Sequence, residues 1–186
     1  MLSKEFAAVT PLIVLLYDRV FAFRSFGEAF AVRKNLYVAL AATWVPLGVI
    51  LVLRPHSTIG FTAGVDAWTY LMNQAEIIVH YLRLALWPDA LVLDYGVPRP
   101  LTLADVWPSA VFVAVLLASS LIAWFRWPRV GFLCVVFFLL LAPTSSIVPI
   151  TTEVGAERRM YLALAALTVL GITGGAWVVD RIRLAL

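Results

Sequence analysis

Residues 142–161 read APTSSIVPITTEVGAERRMY and lie between two strongly apolar runs. Pro143 and Pro149 each remove a backbone donor and interrupt the helix. Thr144, Ser145, Ser146, Thr151 and Thr152 carry hydroxyls that can satisfy the backbone groups so freed. Glu157, Arg158 and Arg159 follow at the point where the next apolar run begins. Arginine grips a phosphate with a two-pronged fork, and the start of a helix adds partial positive charge. One reading is an anion site in which Glu157 orients one guanidinium and leaves the other for a ligand, a lipid phosphate above all. The plainer reading is an interfacial cluster whose arginines reach up to headgroups. Ser3, Lys4 and Glu5 make a charged helix start of ordinary type, placed on the same face as the arginines.

Other chemistry-bearing groups are weaker. Asp89, Asp94 and Tyr95 fall in LALWPDALVLDYGVPRP, residues 84–100. Paired carboxylates serve acid–base chemistry or hold a metal, but two loop aspartates five apart read first as solvated, so Asp94 and Tyr95 are kept only as a candidate loop site. Glu76 and His80, four apart, resemble half a metal site. No second histidine stands near, so a satisfied structural pair is expected and no metal. No nucleophile motif, glycine-rich phosphate loop or Cys/His cluster is present, and no catalytic residue is assigned from the pattern alone.

The elements that hold these groups follow from composition. The chain has 186 residues, 63% hydrophobic and 13% charged, with a mean hydropathy of +0.96. Soluble domains are roughly a quarter charged, so this chain has too little charge to cover a soluble surface, and an all-α integral membrane fold is expected. Seven tryptophans and six tyrosines suit anchoring at the interface. The net charge of +3 bears on topology and headgroups, not on nucleic acid. Cys134 is alone, so no disulfide forms within the chain. Residues 1–5 lead into an apolar run without a small-residue cleavage site, so no cleavable leader is expected.

A span needs about 20 mostly apolar residues. Five runs qualify, at about 6–23, 36–53, 108–125, 130–149 and 160–179, in a single polytopic domain covering residues 1–186. The loops carrying Arg19, Arg24, Arg33 and Lys34, then Arg126 and Arg129, then Arg181 and Arg183 are placed in the cytoplasm by the excess of positive charge. The segments 54–107 and 144–159 then face outward. That topology predicts that residues 67–87 do not cross. Asn73, Glu76, His80 and Arg83 recur there at three- and four-residue steps, which gathers them on one face of a helix. An amphipathic helix at the interface, or packed against the bundle, fits better than a sixth span.

Taken in order, three stretches resemble a known family: LSKE followed by an apolar run and LLYD, then LWPDALVLDY before a proline-rich loop, then APTSSIVPITTEVGAERRMYL. The order is similar to the membrane half of the GT-C glycosyltransferases that carry tetratricopeptide repeats. These include the transmembrane O-mannosyltransferases acting on cadherins and their bacterial relatives. The resemblance covers residues 2–164. It implies a GT-C-like membrane domain, a polyprenyl- or dolichyl-phosphate sugar as donor, likened to mannose transfer, and a protein hydroxyl as acceptor on the outer or lumenal side. It implies no other cofactor. Arg158 matches the family's ER motif and would stabilise the departing phosphate, with Glu157 positioning it. Lys4 matches the SKE motif, and Glu5, Arg159 and Tyr161 stand beside these groups. The family's acidic catalytic residues belong to a loop ahead of the matched pattern, and its repeats lie beyond the last span, so the sequence is expected to be a piece shortened at both ends, with Asp94 only a remote substitute for the base. A bacterial plasma membrane is implied, with the endoplasmic reticulum as the other location. Two other functions fit the same residues: a membrane anchor or scaffold for a repeat domain, and a transporter of lipid-linked saccharide.

Overall fold

The structure is a computed structural model and describes residues 8–53, 66–89, 91–92, 94–145 and 153–185. Every regular element among them is helical. Helix α1 (Thr10–Tyr17) runs directly into a π-helical turn, Asp18–Ala22. Pro11 sits in the first turn of α1, where its missing donor costs nothing.

Helix α2 (Phe26–Ala42) begins ten residues before the expected span at 36–53. The reason is local. Ser25 accepts from the Glu28 amide at 3.1 Å, and the Glu28 carboxylate accepts from the Arg24 amide at 2.9 Å, which fixes a helix start on a stretch that charge alone reads as a loop. The same expected span is divided at Thr43. Pro46 has no donor for the preceding turn, and α3 (Trp44–Leu53) starts afresh around it. Helix α4 (Ala67–Leu86) falls where the polar stripe predicts it, capped by Asp66, whose carboxylate accepts from the Trp68 amide at 2.9 Å.

Helix α5 (Leu103–Arg126) begins five residues before its predicted start, because Thr102 and Asp105 cap each other. Helix α6 (Pro128–Leu141) ends before Pro143 and is 14 residues long, shorter than the expected 130–149. Residues 146–149 of that expected span lie outside the described residues. A 3₁₀ turn, Glu157–Arg159, leads into α7 (Met160–Ala185).

Two stretches are long and apolar enough to cross a membrane: Leu103–Arg126, 24 residues, and Glu157–Leu184, 28 residues. Only 17% and 11% of their apolar windows are buried, so both helices are largely exposed along their apolar length. The other expected spans do not reach that length as single helices among the described residues.

α5 and α6 form a hairpin turned at Trp127, with α7 beside α6 and α4 beside α5. Gly131 lies where a Cβ would stand 2.2 Å from the Trp124 backbone nitrogen, so glycine sets the spacing of the hairpin. Ala163 and Ala166 are buried on α7 and let it approach Phe137, Leu140 and Leu141 of α6. Tyr17 and Phe21 pack edge-on around Phe132, with centroids 6.0 and 5.4 Å away. This places the end of α1 near the α5–α6 turn. At 1.5 Å per residue, α5 holds that turn ~36 Å from the loop end formed by residues 94–102 and 153–157.

Candidate functional site

The loop end is organised by one face of α4. Tyr70, Asn73, Gln74 and Tyr81 project from it and grip the backbone of the chain around them. Tyr70 donates to the Thr144 carbonyl at 2.8 Å. Asn73 donates to the Arg99 carbonyl at 2.8 Å and accepts from its amide at 3.1 Å. Gln74 donates to the Val154 carbonyl at 2.8 Å. The Tyr81 hydroxyl donates to the Ala156 carbonyl and accepts from its amide, both at 2.8 Å. Irregular backbone buried away from water needs such partners. Burial pushes the Tyr81 hydroxyl up to about 12, against the pull of the Ala156 amide.

The polar stripe of α4 is thus turned largely to protein. Asn73 is buried and His80 half-buried, while Arg83 is exposed. The expected Glu76–His80 pair does not form. Glu76 faces Arg99 at 3.9 Å across a largely solvated gap, and His80 Nε2 lies 2.8 Å from the Tyr95 hydroxyl.

Two loop segments meet over this face. The Tyr95 amide donates to the Gly155 carbonyl at 3.0 Å, and the Val154 amide to the Gly96 carbonyl at 2.7 Å. Gly96 has φ +77°, a left-handed position that suits glycine. The Asp94 carboxylate accepts from the Gly96 amide at 2.8 Å and so closes a turn. Gly155 passes so near α4 that a Cβ would stand 2.9 Å from Ile77.

The charges sort differently from the sequence expectation. Glu157 does not orient an arginine. Its Oε1 accepts from the Val92 amide at 2.5 Å and from the Tyr95 hydroxyl at 2.8 Å. Since that hydroxyl spends its proton on Glu157, His80 must donate to it, which puts the imidazole proton on Nε2. Burial first, and then the Glu157 carboxylate, push the Tyr95 hydroxyl well above its ordinary value. The partner of both arginines is Glu153, a residue the sequence pattern did not single out. Arg158 Nη2 bonds Glu153 Oε2, and Arg159 Nη2 lies 3.2 Å from Oε1, an ion pair without the alignment of a hydrogen bond. Arg159 has a side chain only 6% exposed and also approaches the carbonyls of Thr144 and Glu153 at 3.5 and 3.4 Å. Arg158 is 54% exposed. One arginine is built into the fold, and the other keeps open donors beside its carboxylate. Tyr161 is exposed on the first turn of α7. Lys4 and Glu5 lie outside the described residues, as do Ser146, Pro149, Thr151 and Thr152.

A second polar cluster stands near the opposite end. Asp18, 1% exposed, accepts from Arg33 at 2.7 Å and from the Tyr37 hydroxyl at 2.7 Å. The sequence signal for it was faint: an aspartate inside an apolar run, with a cation 15 residues on.

Among the described residues every regular element is helical, two helices are long and apolar enough to cross a membrane, and a polar cap stands at one end of them. Comparison with protein-family models, with curated proteins and with solved structures returned no match to this chain.

Proposed function

We propose that the chain is an integral membrane protein of about five spans, GT-C-like in architecture, and the donor-binding part of a membrane glycosyltransferase. In this reading it holds a polyprenyl- or dolichyl-phosphate sugar at the outer face while the sugar passes to a protein hydroxyl. The membrane part is supported by the bare apolar faces of α5 and α7, where Val111, Phe112, Ile122, Phe125, Ile172 and Trp177 are exposed. Water does not tolerate so continuous an apolar surface, and lipid does.

The observation that carries the donor site is Arg158. Its guanidinium is half-exposed, steadied by Glu153, and stands at the head of a helix long enough to span. A steadied guanidinium with free donors matches a phosphate monoanion or dianion. Glu157 has its acceptor engaged by Val92 and Tyr95, so its part is to fix the loop beside Arg158. Arg159 supports the turn from below. No residue described is given the role of catalytic base.

The test is a titration of the protein in lipid nanodiscs with a polyprenyl-phosphate sugar. Arg158→Ala should weaken binding by about tenfold or more, since a charge-assisted hydrogen bond contributes roughly 1.5–3 kcal/mol. Equal affinity of wild type and variant, or no binding to either, would overturn the donor site and favour a membrane scaffold.

A further inference from the structure

Between α4, α5 and α6 runs a cavity of about 480 Å³, within the range of ligand pockets. Its walls are apolar: Met72 and Ile78 from α4, Val106 and Val113 from α5, Phe138 and Leu141 from α6. Along α5 it extends from Leu103 to Leu121, or ~27 Å of helix. A groove of that length accommodates an extended hydrocarbon chain, whose carbons meet the lining ~4 Å away. The cavity opens sideways, and Trp68, Leu71 and Leu121 at its edge are exposed.

Three polar side chains interrupt the apolar lining. Ser120 donates to the Leu116 carbonyl of its own helix at 2.7 Å and is satisfied. The other two, Gln74 and Ser145, are not. Gln74 is 1% exposed, and its Oε1 has no hydrogen-bond partner. The amide cannot turn over to find one, because Nε2 is committed to the Val154 carbonyl. A flip would set oxygen against oxygen. Ser145 Oγ is likewise buried and unpaired. Both belong to the loop end of the cavity, Ser145 just beyond α6 and Gln74 beside the 154 backbone. An unpaired buried acceptor is costly, and a water or a ligand group with a proton to give would relieve it.

We infer that this cavity binds one single-chain lipid whose polar end is an uncharged hydroxyl, seated with that hydroxyl between Gln74 Oε1 and Ser145 Oγ and its chain along α5. A hydroxyl donates to the amide oxygen and accepts from the serine. A phosphodiester or a carboxylate brings no proton at neutral pH for Gln74, and any anion finds no cation, since none of the lining side chains is charged. The inference uses the membrane reading of α5, because the open side of the cavity must face lipid. It does not use Arg158 or the sugar donor.

The probe is 1-hexadecanol, titrated into the protein in nanodiscs and read by thermal stabilisation and by competition with a fluorescent chain alcohol. Hexadecane and palmitate serve as the uncharged and charged counterparts. Hexadecanol should bind about fivefold or more tighter than either, the scale of one or two neutral hydrogen bonds. Ser145→Ala should cut that advantage by about threefold or more without changing hexadecane binding, and it leaves the Gln74–Val154 bond in place. Ala110→Phe, which fills the cavity from α5, should abolish all chain binding in a protein that still elutes as a folded species. If Ala110→Phe does not fold, a nitroxide-labelled chain alcohol must still broaden Val113 and Leu117 methyl signals in the wild type. Equal binding of hexadecanol and hexadecane, stronger binding of palmitate, or labels that broaden other helices would overturn the proposal.

Discussion

The two polar clusters of this protein solve the same problem in opposite ways. Near the α5–α6 turn, Asp18 is wholly buried and both its oxygens are taken, one by Arg33 and one by Tyr37. Its partners sit 15 and 19 residues away on the next helix, so the cluster clamps α2 against the first helix. At the loop end, Glu153 is shared between two arginines, one buried and one half-exposed. A saturated carboxylate fastens, whereas a shared one leaves donors over. The comparison teaches where to look for a ligand: beside the charge that the fold has not finished using.

The two ends also differ in how closely backbone meets backbone, and the largest effect is expected there. Gly131→Ala drives a Cβ to within 2.2 Å of the Trp124 backbone, which cannot yield without opening the α5–α6 hairpin. We expect a loss of about 3 kcal/mol or more, the upper part of the range for overpacking. Gly155→Ala meets only the Ile77 side chain, at 2.9 and 3.0 Å, and the Tyr81 hydroxyl at 3.2 Å. There roughly 1 kcal/mol is expected, since a side chain can move aside. Unfolding of both variants by denaturant in mixed micelles measures the pair. A costlier Gly155→Ala would mean that the loop end is the stiffer of the two.

The next contrast removes a carboxylate from each end. Asp18→Ala strips both the Tyr37 hydroxyl and Arg33 of their partner and should cost about 3 kcal/mol, the low end for a broken buried pair, because Arg33 is 44% exposed and keeps some water. Glu157→Ala loses two hydrogen bonds at a half-buried position and should cost roughly 1–2 kcal/mol. The same denaturant series decides it, and a reversed order would break the distinction between a clamp and an adaptable cap.

The smallest effect sharpens the loop end alone. The Tyr95 hydroxyl is held above its ordinary value, near pH 10, by burial and by Glu157. A raised value means that the stabilisation is fully present below about pH 10 and is lost as pH rises through the folded value. The thermal midpoint of wild type should exceed that of Tyr95→Phe at pH 8, and the gap should close above pH 10. A constant gap would remove Tyr95 from the loop's alkaline response.

Much of the fold was legible in the sequence. Residues 67–87 announced α4 through the stripe of Asn73, Glu76, His80 and Arg83, while the span expected at 130–149 ran past Pro143, before which α6 ends. The capping at Ser25–Glu28 and at Thr102–Asp105 was passed over, and it carries α2 and α5 beyond the limits that hydropathy sets. The site was legible in part. The arginines were found because charges at the edge of an apolar run stand out. Glu153 was passed over because it sits in the break with nothing periodic around it.

The sequence by itself determined that this chain forms apolar helices, that one break between them gathers polar groups, and that two arginines close that break. Spacing and hydropathy act over single turns of helix, and they suffice for that. Only the tertiary structure decided which carboxylate serves the arginines, that Glu157 belongs to Tyr95, and that Gln74 is left with an unpaired oxygen facing an apolar cavity. Glu153 serves arginines only five and six positions on, but the Glu157–Tyr95 and Gln74–Val154 contacts join residues 62 and 80 positions apart within 3 Å. Such partnerships are set by the packing of α4 under the two loops, and no local pattern encodes them.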